Sequence, residues 1–452
     1  MNVIIVGAGK VGLTLAETLR NEDHNVSIID PDPEVVEYVS NEYDILGIEG
    51  SGIVCKDLLS AGADGADLVI ATAPDDELNI LSCVIAKRLG ARHGIARVRD
   101  PEHSGQQVFL RDELGISLIV NPELYAASEI SRIIRMPSAI KVDTFAKGRI
   151  DLAELKIGDG DRLDGLTLRE LPSVYKSKIL VCAIARGEEV YIPSGDFVLK
   201  GGDRIYVTAS HEALSHFAKE QSGAAQKIKN VFIIGGGKIS YYLAKNLLDA
   251  GYNSVKIFEI DRERSVALGK LLPKAKIICA DGTDQDVLIE EGLDAADVCV
   301  SLTGIDEENI IISMFAKSRG CKKVITKVNK ESLNKMAESV GIDSLISPKR
   351  LTANMIIQYA RAIENTGGSN IQTLYKLVDN KVEAIEFIAN NSSKILGVPL
   401  KDLELKKDIL LAGIIRGSRV IIPSGNDQIE AMDRVIIVTT NRYFQDLDEI
   451  IK

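Results

Sequence analysis

The sequence predicts an α/β chain of two doubly wound parallel sheets, each followed by a smaller α+β domain. Two observations carry that expectation. A strand and glycine loop, Val3-Ile4-Ile5-Val6-Gly7-Ala8-Gly9-Lys10-Val11-Gly12, recurs as Val231-Phe232-Ile233-Ile234-Gly235-Gly236-Gly237-Lys238-Ile239-Ser240. The segments behind the two loops also match at a nearly constant spacing: Gly7 with Gly235, Asp30 with Glu259, Gly62 with Gly292, Asp67 with Asp297 and Asn79 with Asn309, at offsets of 228, 229, 230, 230 and 230. So slow a drift marks a duplication with small loop insertions.

In order along the first copy, Val3 to Val6 reads as a buried strand, and Val11, Leu15 and Leu19 recur at helical spacing after the glycine turn. Val26-Ser27-Ile28-Ile29-Asp30 then reads as a second strand, which completes a βαβ unit. A short strand Asp44-Ile45-Leu46-Gly47-Ile48 follows, then a small helix through Leu58 and Leu59. Next come a buried strand Leu68-Val69-Ile70-Ala71, a helix from Asn79 to Leu89 and a strand Gly94-Ile95-Ala96-Arg97-Val98. The second copy answers with Lys276-Ile277-Ile278, Val298 to Leu302, a helix near Asn309 to Arg319, and Val324 to Val328.

Each half then changes character. Ile179 to Gly187, Val190 to Gly195 and Gly202 to Val207 read as short strands joined by turns, and Leu410 to Gly417, Val420 to Gly425 and Asp433 to Val438 repeat them. Arg186 and Arg416, Pro193 and Pro423, and Asp203 and Asp433 are all 230 residues apart, so the two-domain unit is duplicated whole. Length alone suggests about three domains; the repeats raise the count to four. The expected domains are residues 1–125, 138–222, 228–350 and 370–452, with Gly223-Ala224-Ala225-Gln226-Lys227 as the linker between halves.

Composition excludes several classes. With 452 residues, 45% hydrophobic and 26% charged, and a mean hydropathy near zero, the chain reads as soluble and globular. A net charge of -11 argues against nucleic acid as a partner, because that affinity rests on clustered Lys and Arg. The start at Met1 runs directly into a strand, and no span of about 18 or more apolar residues occurs, so a cytoplasmic chain that does not itself cross a membrane is expected. Cys55, Cys83, Cys182, Cys279, Cys299 and Cys321 form no Cys-x-x-Cys pair, and the histidines show no His-x-x-x-His spacing. Neither a metal site nor a disulfide framework is expected, and the thiols are read as buried and reduced.

In the glycine loop, Gly7 permits the sharp turn off the strand, Gly9 lets backbone approach a phosphate, and Gly12 lets the helix pack against the sheet. Amides at the helix start then face the anion with the helix dipole behind them. Asp30, at the end of the second strand, would accept hydrogen bonds from ribose hydroxyls and repel a 2′-phosphate, which favours NAD(H) over NADP(H). In the second copy Glu259 supplies the acceptor, but Ser240 stands where the third glycine should be, and its hydroxymethyl group is expected to crowd the helix against the sheet. Ser51-Gly52 and Asp281-Gly282 follow the third strands, close to an adenine. Ala73-Pro74 and Thr303-Gly304 follow the fourth, next to Asp76-Glu77 and Asp306-Glu307. Arg97 and Lys327 sit in the fifth strands, where each would place a cation near phosphate or serve an interface ion pair.

On these residues the chain resembles the TrkA family of potassium-uptake regulatory proteins, tandem relatives of the RCK or KTN domains. The resemblance rests on Gly7 to Gly12, Glu17, Gly62-Ala63-Asp64-Gly65-Ala66-Asp67, Asp76-Glu77-Leu78-Asn79 and Ile95-Ala96-Arg97. In the second copy it rests on Gly235-Gly236-Gly237, Asp281-Gly282-Thr283 and Asp306-Glu307-Glu308-Asn309. It implies two Rossmann-like domains alternating with two small C-terminal RCK domains. It also implies NAD(H), with ATP or ADP as further ligands, and a homotetramer whose eight Rossmann domains form a cytoplasmic ring under a membrane potassium transporter of the TrkH or TrkG kind. The residues themselves support a compatible mechanism, in which unequal nucleotide binding shifts a conformational equilibrium.

Two other functions compete. An NAD-dependent dehydrogenase needs a substrate domain with a positioned acid or base, and His24, His93, His103, His211 and His216 have neither repeat partners nor helpful neighbours. A transcriptional regulator would need a helix-turn-helix segment and a basic patch, and neither is evident.

Overall fold

The computed structural model describes residues 1–100, 107–145, 149–158, 160–221, 228–342, 344–365, 371–378, 381–440, 444 and 446–452. The expected linker at Gly223 to Lys227, and His103, lie outside the described residues. The chain begins with six parallel strands, β1 (Asn2–Val6), β2 (Asn25–Asp30), β3 (Leu46–Glu49), β4 (Leu68–Ala71), β5 (His93–Arg97) and β6 (Leu118–Val120). They lie in the order β3-β2-β1-β4-β5-β6, so the chain reverses its direction of progress across the sheet between β1 and β4. All four residues of β4 are buried, as parallel strands covered by helices on both faces require. The helix Lys10–Asn21 buries Val11, Gly12, Leu15, Ala16 and Leu19 on one face, and its fully buried Leu15 alone stabilises by about 2 kcal/mol.

An antiparallel sheet follows: β7 (Ala139–Phe145), β8 (Ile150–Lys156), β9 (Leu180–Arg186), β10 (Glu189–Tyr191) and β11 (Arg204–Ser210), in the order β10-β9-β11-β8-β7. The third sheet repeats the first with β12 (Asn230–Ile234), β13 (Ser254–Glu259), β14 (Lys276–Cys279), β15 (Val298–Ser301), β16 (Lys323–Lys327) and β17 (Ser344–Ile346), ordered β14-β13-β12-β15-β16-β17. The fourth repeats the second with β18 (Ile371–Leu377), β19 (Val382–Ile388), β20 (Ile409–Arg416), β21 (Arg419–Ile421) and β22 (Arg434–Thr439). The α/β class, with two Rossmann-like sheets and two antiparallel ones, is as expected.

The chain packs as two compact units, and each gathers one type of domain. Met1–Ser131 joins Lys229–Ala360, bringing the two parallel sheets into one body, and Arg132–Ile228 joins Arg361–Lys452. In the second unit the two antiparallel sheets share one apolar core: Phe145, Ile150, Cys182 and Tyr206 pack with Val382, Ala412, Ile415 and Ile436. The Thr208 hydroxyl donates to the Ala412 carbonyl at 2.9 Å. Each sheet also carries the same brace. Arg186 grips both oxygens of Asp203 at 2.7 Å, and Arg416 grips Asp433 in the same way at 3.0 and 2.8 Å. Burial raises the Asp203 pKa, but Arg186 and the Lys200 amide outweigh it and leave the carboxyl below its ordinary value. Arg186-Asp203 and its copy, singled out by their spacing, are therefore internal struts.

The structure departs from the sequence expectations at three points. The helices placed from Asn79 and from near Asn309 begin three residues earlier, at Asp76 and Asp306, because Asp75 in the first copy caps the Leu78 amide at 2.7 Å. Strands β6 to β8 and β17 to β19 were not foreseen; β6 and β17 are only three residues long, too short to show a period. Two thiols, Cys55 and Cys279, are exposed where burial was expected: Cys55 opens the short helix Cys55–Ser60, and Cys279 is the last residue of β14. Among the described residues no helix is long and apolar enough to cross a membrane.

The thiols offer a direct check. Cys83, Cys182 and Cys299 are fully buried, and burial pushes the first two up to about 12 and the third higher still; Cys321 rises to about 11. At pH 8 an aromatic disulfide reagent should therefore titrate two thiols per native chain quickly and the remaining four only on unfolding. Four or more fast thiols would contradict this packing.

Candidate functional site

Both crevices open at the carboxyl ends of the parallel strands where strand order reverses, between β1 and β4 and between β12 and β15. Gly7 (φ +95°) and Gly235 (φ +98°) turn the chain in the left-handed region, and their amides donate to Ile29 and Phe258 at 2.8 Å. A Cβ on Gly7 would lie 2.8 Å from the Ala73 nitrogen, so only glycine fits the turn. Gly9 and Gly237 are extended caps at the helix starts with no side-chain capping bond, and the space above both is open to 4 Å. The amides of Lys10, Val11 and Gly12, and of Lys238, Ile239 and Ser240, begin their helices without intrahelical acceptors. Two anion-seeking helix ends thus face the crevices.

The third loop position works differently from the expectation. A Cβ on Gly12 would meet the Gly7 carbonyl oxygen at 2.0 Å, so the crowding lies within the turn rather than between helix and sheet. In the first copy Thr72, just beyond β4, supplies a hydroxyl to that carbonyl at 3.1 Å. In the second copy Leu302 stands in Thr72's place and Ser240 in Gly12's, and the buried Ser240 hydroxyl donates to the Gly235 carbonyl. The expected obstruction at Ser240 is therefore replaced by a reciprocal exchange: the hydroxyl reaches the turn carbonyl from the helix instead of from the sheet.

A second exchange sits at the ribose acceptors. Asp30 accepts the Ala8 amide at 2.6 Å on one oxygen and the Asp32 amide at 3.0 Å on the other. Glu259 accepts the amides of Gly236 and Asp261, both at 2.8 Å, and lies 3.8 Å from Arg264. A Cβ on Gly236 would sit 2.6 Å from the Glu259 carboxylate, so the longer acid demands glycine where Asp30 tolerates Ala8. Each carboxylate retains lone pairs for ribose hydroxyls beyond its two backbone bonds.

The repeated Asp-Glu-x-Asn segments are braces. The fully buried Asn79 accepts the Ala73 amide at 2.8 Å and donates to the Ala73 and Arg97 carbonyls at 2.9 Å; Asn309 does the same with Thr303 and Lys327. Asp76 takes the Arg99 and Asp100 amides, and Asp306 takes those of Asn329 and Lys330. They lock the turns after the fourth and fifth strands into one floor. Ser51 donates its amide to Asp57, and Asp281 caps its own turn through Thr283, so these two also shape the crevice edge.

Charge gathers where the two parallel-sheet modules meet within the first unit. Arg97 donates to the Ala73 carbonyl at 2.7 Å; burial lowers its pKa, and neighbouring Arg99 adds to the effect. Burial raises the Glu123 carboxyl against the pull of Arg99, Arg97 and Lys238. Lys327 is lowered by burial too, and Lys10 of the other copy contributes. Lys238, from the second glycine loop, pairs with Asp100 of the first module at 3.2 Å. Loop residues from each copy therefore stand beside the crevice of the other. Thr72, Arg99, Asp100, Glu123, Asn121 and Tyr242 were not among the residues expected from sequence; Thr72 was detectable, since its exchange with Leu302, 230 residues on, accompanies that of Gly12 with Ser240, 228 residues on.

Comparison with known proteins agrees with this architecture. The TrkA-N domain model matches residues 3–122 and 231–348, and the TrkA-C domain model residues 152–222 and 384–452. The chain is 34% identical over its full length to the whole of a Trk system potassium uptake protein TrkA homolog of Archaeoglobus fulgidus. It is 30% identical to Trk system potassium uptake protein TrkA of Haemophilus influenzae, over 98% of this chain and 96% of that one. Among solved structures, the GsuK RCK domain superposes with a TM-score of 0.65 at 16% identity, covering 97% of this chain and 92% of that one. The GsuK channel bound to NAD superposes equally well over 97% of this chain and 76% of that one. At such identity these two establish the shared fold.

The turn-carbonyl exchange can be tested by swapping it. Gly12→Ser alone should destabilise the first module by about 2 kcal/mol, as overpacking does, and lower its calorimetric Tm. Adding Thr72→Leu should restore at least half of the loss, and equal Tm values for the single and double variants would contradict the exchange.

Proposed function

The chain belongs to the TrkA family, and from that premise we propose that it is a nucleotide-responsive regulatory subunit of a potassium uptake system, with NAD(H) as its ligand. The observation that carries this reading is the paired crevice: an open glycine cap at a helix start opposite a carboxylate on the end of the second strand, present twice. The unpaired helix amides suit a pyrophosphate, and Asp30 or Glu259 suits a ribose diol, so the residues present fit a dinucleotide. A bound NAD supplies only charge and shape to this chain. The family is one of regulators, and the chain is not an enzyme.

The proposed site in the first crevice is Gly7, Ala8, Gly9, Lys10, Val11, Gly12, Asp30, Ser51, Ala73, Pro74 and Arg97. In the second it is Gly235, Gly236, Gly237, Lys238, Ile239, Glu259, Asp281, Thr303 and Lys327. Asp30 and Glu259 carry the preference for NAD(H) over NADP(H), because a 2′-phosphate would meet a carboxylate already held in place by two backbone amides. ATP and ADP share the adenosine and phosphate chemistry and are proposed as competing ligands; a GsuK structure bound to ADP is among the similar structures, with a TM-score of 0.52. We propose domain limits of 1–125, 138–222, 228–350 and 370–452. The chain would act at the inner face of the membrane as a homotetramer on a transporter of the TrkH or TrkG kind. Ligand binding would gate that transporter by favouring one arrangement of the ring over another.

Calorimetric titration of NADH, NAD+, ATP and ADP on the full chain tests the ligand reading. Loss of the acid in Asp30→Ala should weaken NADH at one site by about tenfold or more, the worth of a charged hydrogen-bond acceptor. Glu259→Ala should do so at the other, and NADPH should bind more weakly than NADH throughout. Unchanged NADH affinity in both variants would remove the assignment.

A further inference from the structure

The two copies are not equivalent where they meet. Tyr242 lies on the buried face of the helix Lys238–Asp249, one turn from the second glycine loop, and its hydroxyl crosses into the first module. It donates to the Arg99 carbonyl at 3.1 Å and accepts from the amide group of the buried Asn121 at 3.1 Å. Asn121 in turn caps the following helix by accepting the Leu124 amide at 2.9 Å. The Arg99 amide is fixed by Asp76, while its guanidinium donates to the Pro74 carbonyl, which ends the floor of the first crevice. An unbroken run of hydrogen bonds thus joins the helix that starts at the second loop to the floor of the first crevice.

The reverse connection is built differently. Thr14 occupies Tyr242's position in the first copy, and its hydroxyl bonds to the Lys10 carbonyl of its own helix. Lys330 occupies the position of Asp100 and pairs with Glu307 of its own module, whereas Asp100 receives Lys238 from the opposite loop. Among the described residues the latch runs in one direction, where symmetry would give two.

We propose that Tyr242 is a positioning residue for the first nucleotide crevice, supplied by the second module, and that it couples the two crevices. The proposal rests on the reading that the crevices bind nucleotide. A ligand drawing the second loop and its helix toward itself moves Tyr242, and with it the Arg99 carbonyl and the Pro74 floor. Coupling of binding free energies is reciprocal, so the first ligand alters the second by the same factor.

The test uses the full chain and the variant Tyr242→Phe, which keeps the ring and removes only the hydroxyl. Hydrogen exchange on the ligand-free protein should rise at the Arg99, Asp100 and Leu124 amides and stay unchanged at the helix Lys10–Asn21. In titrations, Tyr242→Phe should weaken NADH about fivefold, the worth of one neutral hydrogen bond, at the first crevice, read in a Glu259→Ala background. At the second crevice, read in an Asp30→Ala background, the change should stay within about twofold. Unchanged exchange at Arg99, Asp100 and Leu124, or equal losses in both backgrounds, overturns the proposal. Should wild type bind no NADH, the ligand reading falls, and the exchange measurement still decides whether the latch exists.

Discussion

The strand-to-helix turn of each parallel-sheet module holds its shape because a carboxylate at the end of the next strand reaches back and takes the amide of the loop's second residue. Asp30 binds Ala8 and Glu259 binds Gly236 in this way. The same carboxylate that would meet the ribose is therefore a structural part of the phosphate loop. Ligand recognition and loop geometry are thermodynamically joined at this contact: whatever bonds to the acid on one side bears on the loop amide on the other. The left-handed glycine before it and the crowded carbonyl of that glycine leave so little freedom that substitutions at this turn come as paired exchanges, Ala8 and Asp30 for Gly236 and Glu259, Gly12 and Thr72 for Ser240 and Leu302.

Those exchanges show what could and could not be read from the chain. The parallel sheets were legible because buried strands such as Leu68–Ala71 are continuous apolar runs and the duplication reads each of them twice. The glycine loops and their acids were legible because their roles depend on backbone conformation and position in a βαβ unit. Ser240 read as an obstruction, since one residue considered alone gives no sign that Leu302 has vacated the carbonyl it needs. The Asp-Glu-x-Asn segments read as crevice residues, whereas Asn79 and Asp76 spend their hydrogen bonds on the backbone of Ala73, Arg97, Arg99 and Asp100. Tyr242 and Asn121 were out of reach, because they are 121 residues apart and nothing local couples them.

The chain alternates two domain types in sequence but gathers like with like in space. The two parallel-sheet modules form one body and the two antiparallel sheets another, fused through a single core that includes Phe145 and Ile436. Within the first body, Lys238 pairs with Asp100 of the other copy and Lys10 acts on Lys327 of the other copy, so a nucleotide's charge in one crevice would be felt by groups belonging to its twin. A duplicated chain can place this pairing under covalent control and then let the halves diverge. The Tyr242 hydrogen bonds to Arg99 and Asn121, and the Ser240 hydroxyl in the second loop, are points at which the two copies differ.

We propose that nucleotide occupancy of these crevices sets the activity of a potassium transporter. Potassium flux into vesicles carrying the transporter and the full chain, measured with and without NADH, tests it most directly when wild type is compared with an Asp30→Ala, Glu259→Ala double variant shown to have lost nucleotide binding. Wild type should show an NADH-dependent change in flux and the double variant none. An equal response from both would contradict it.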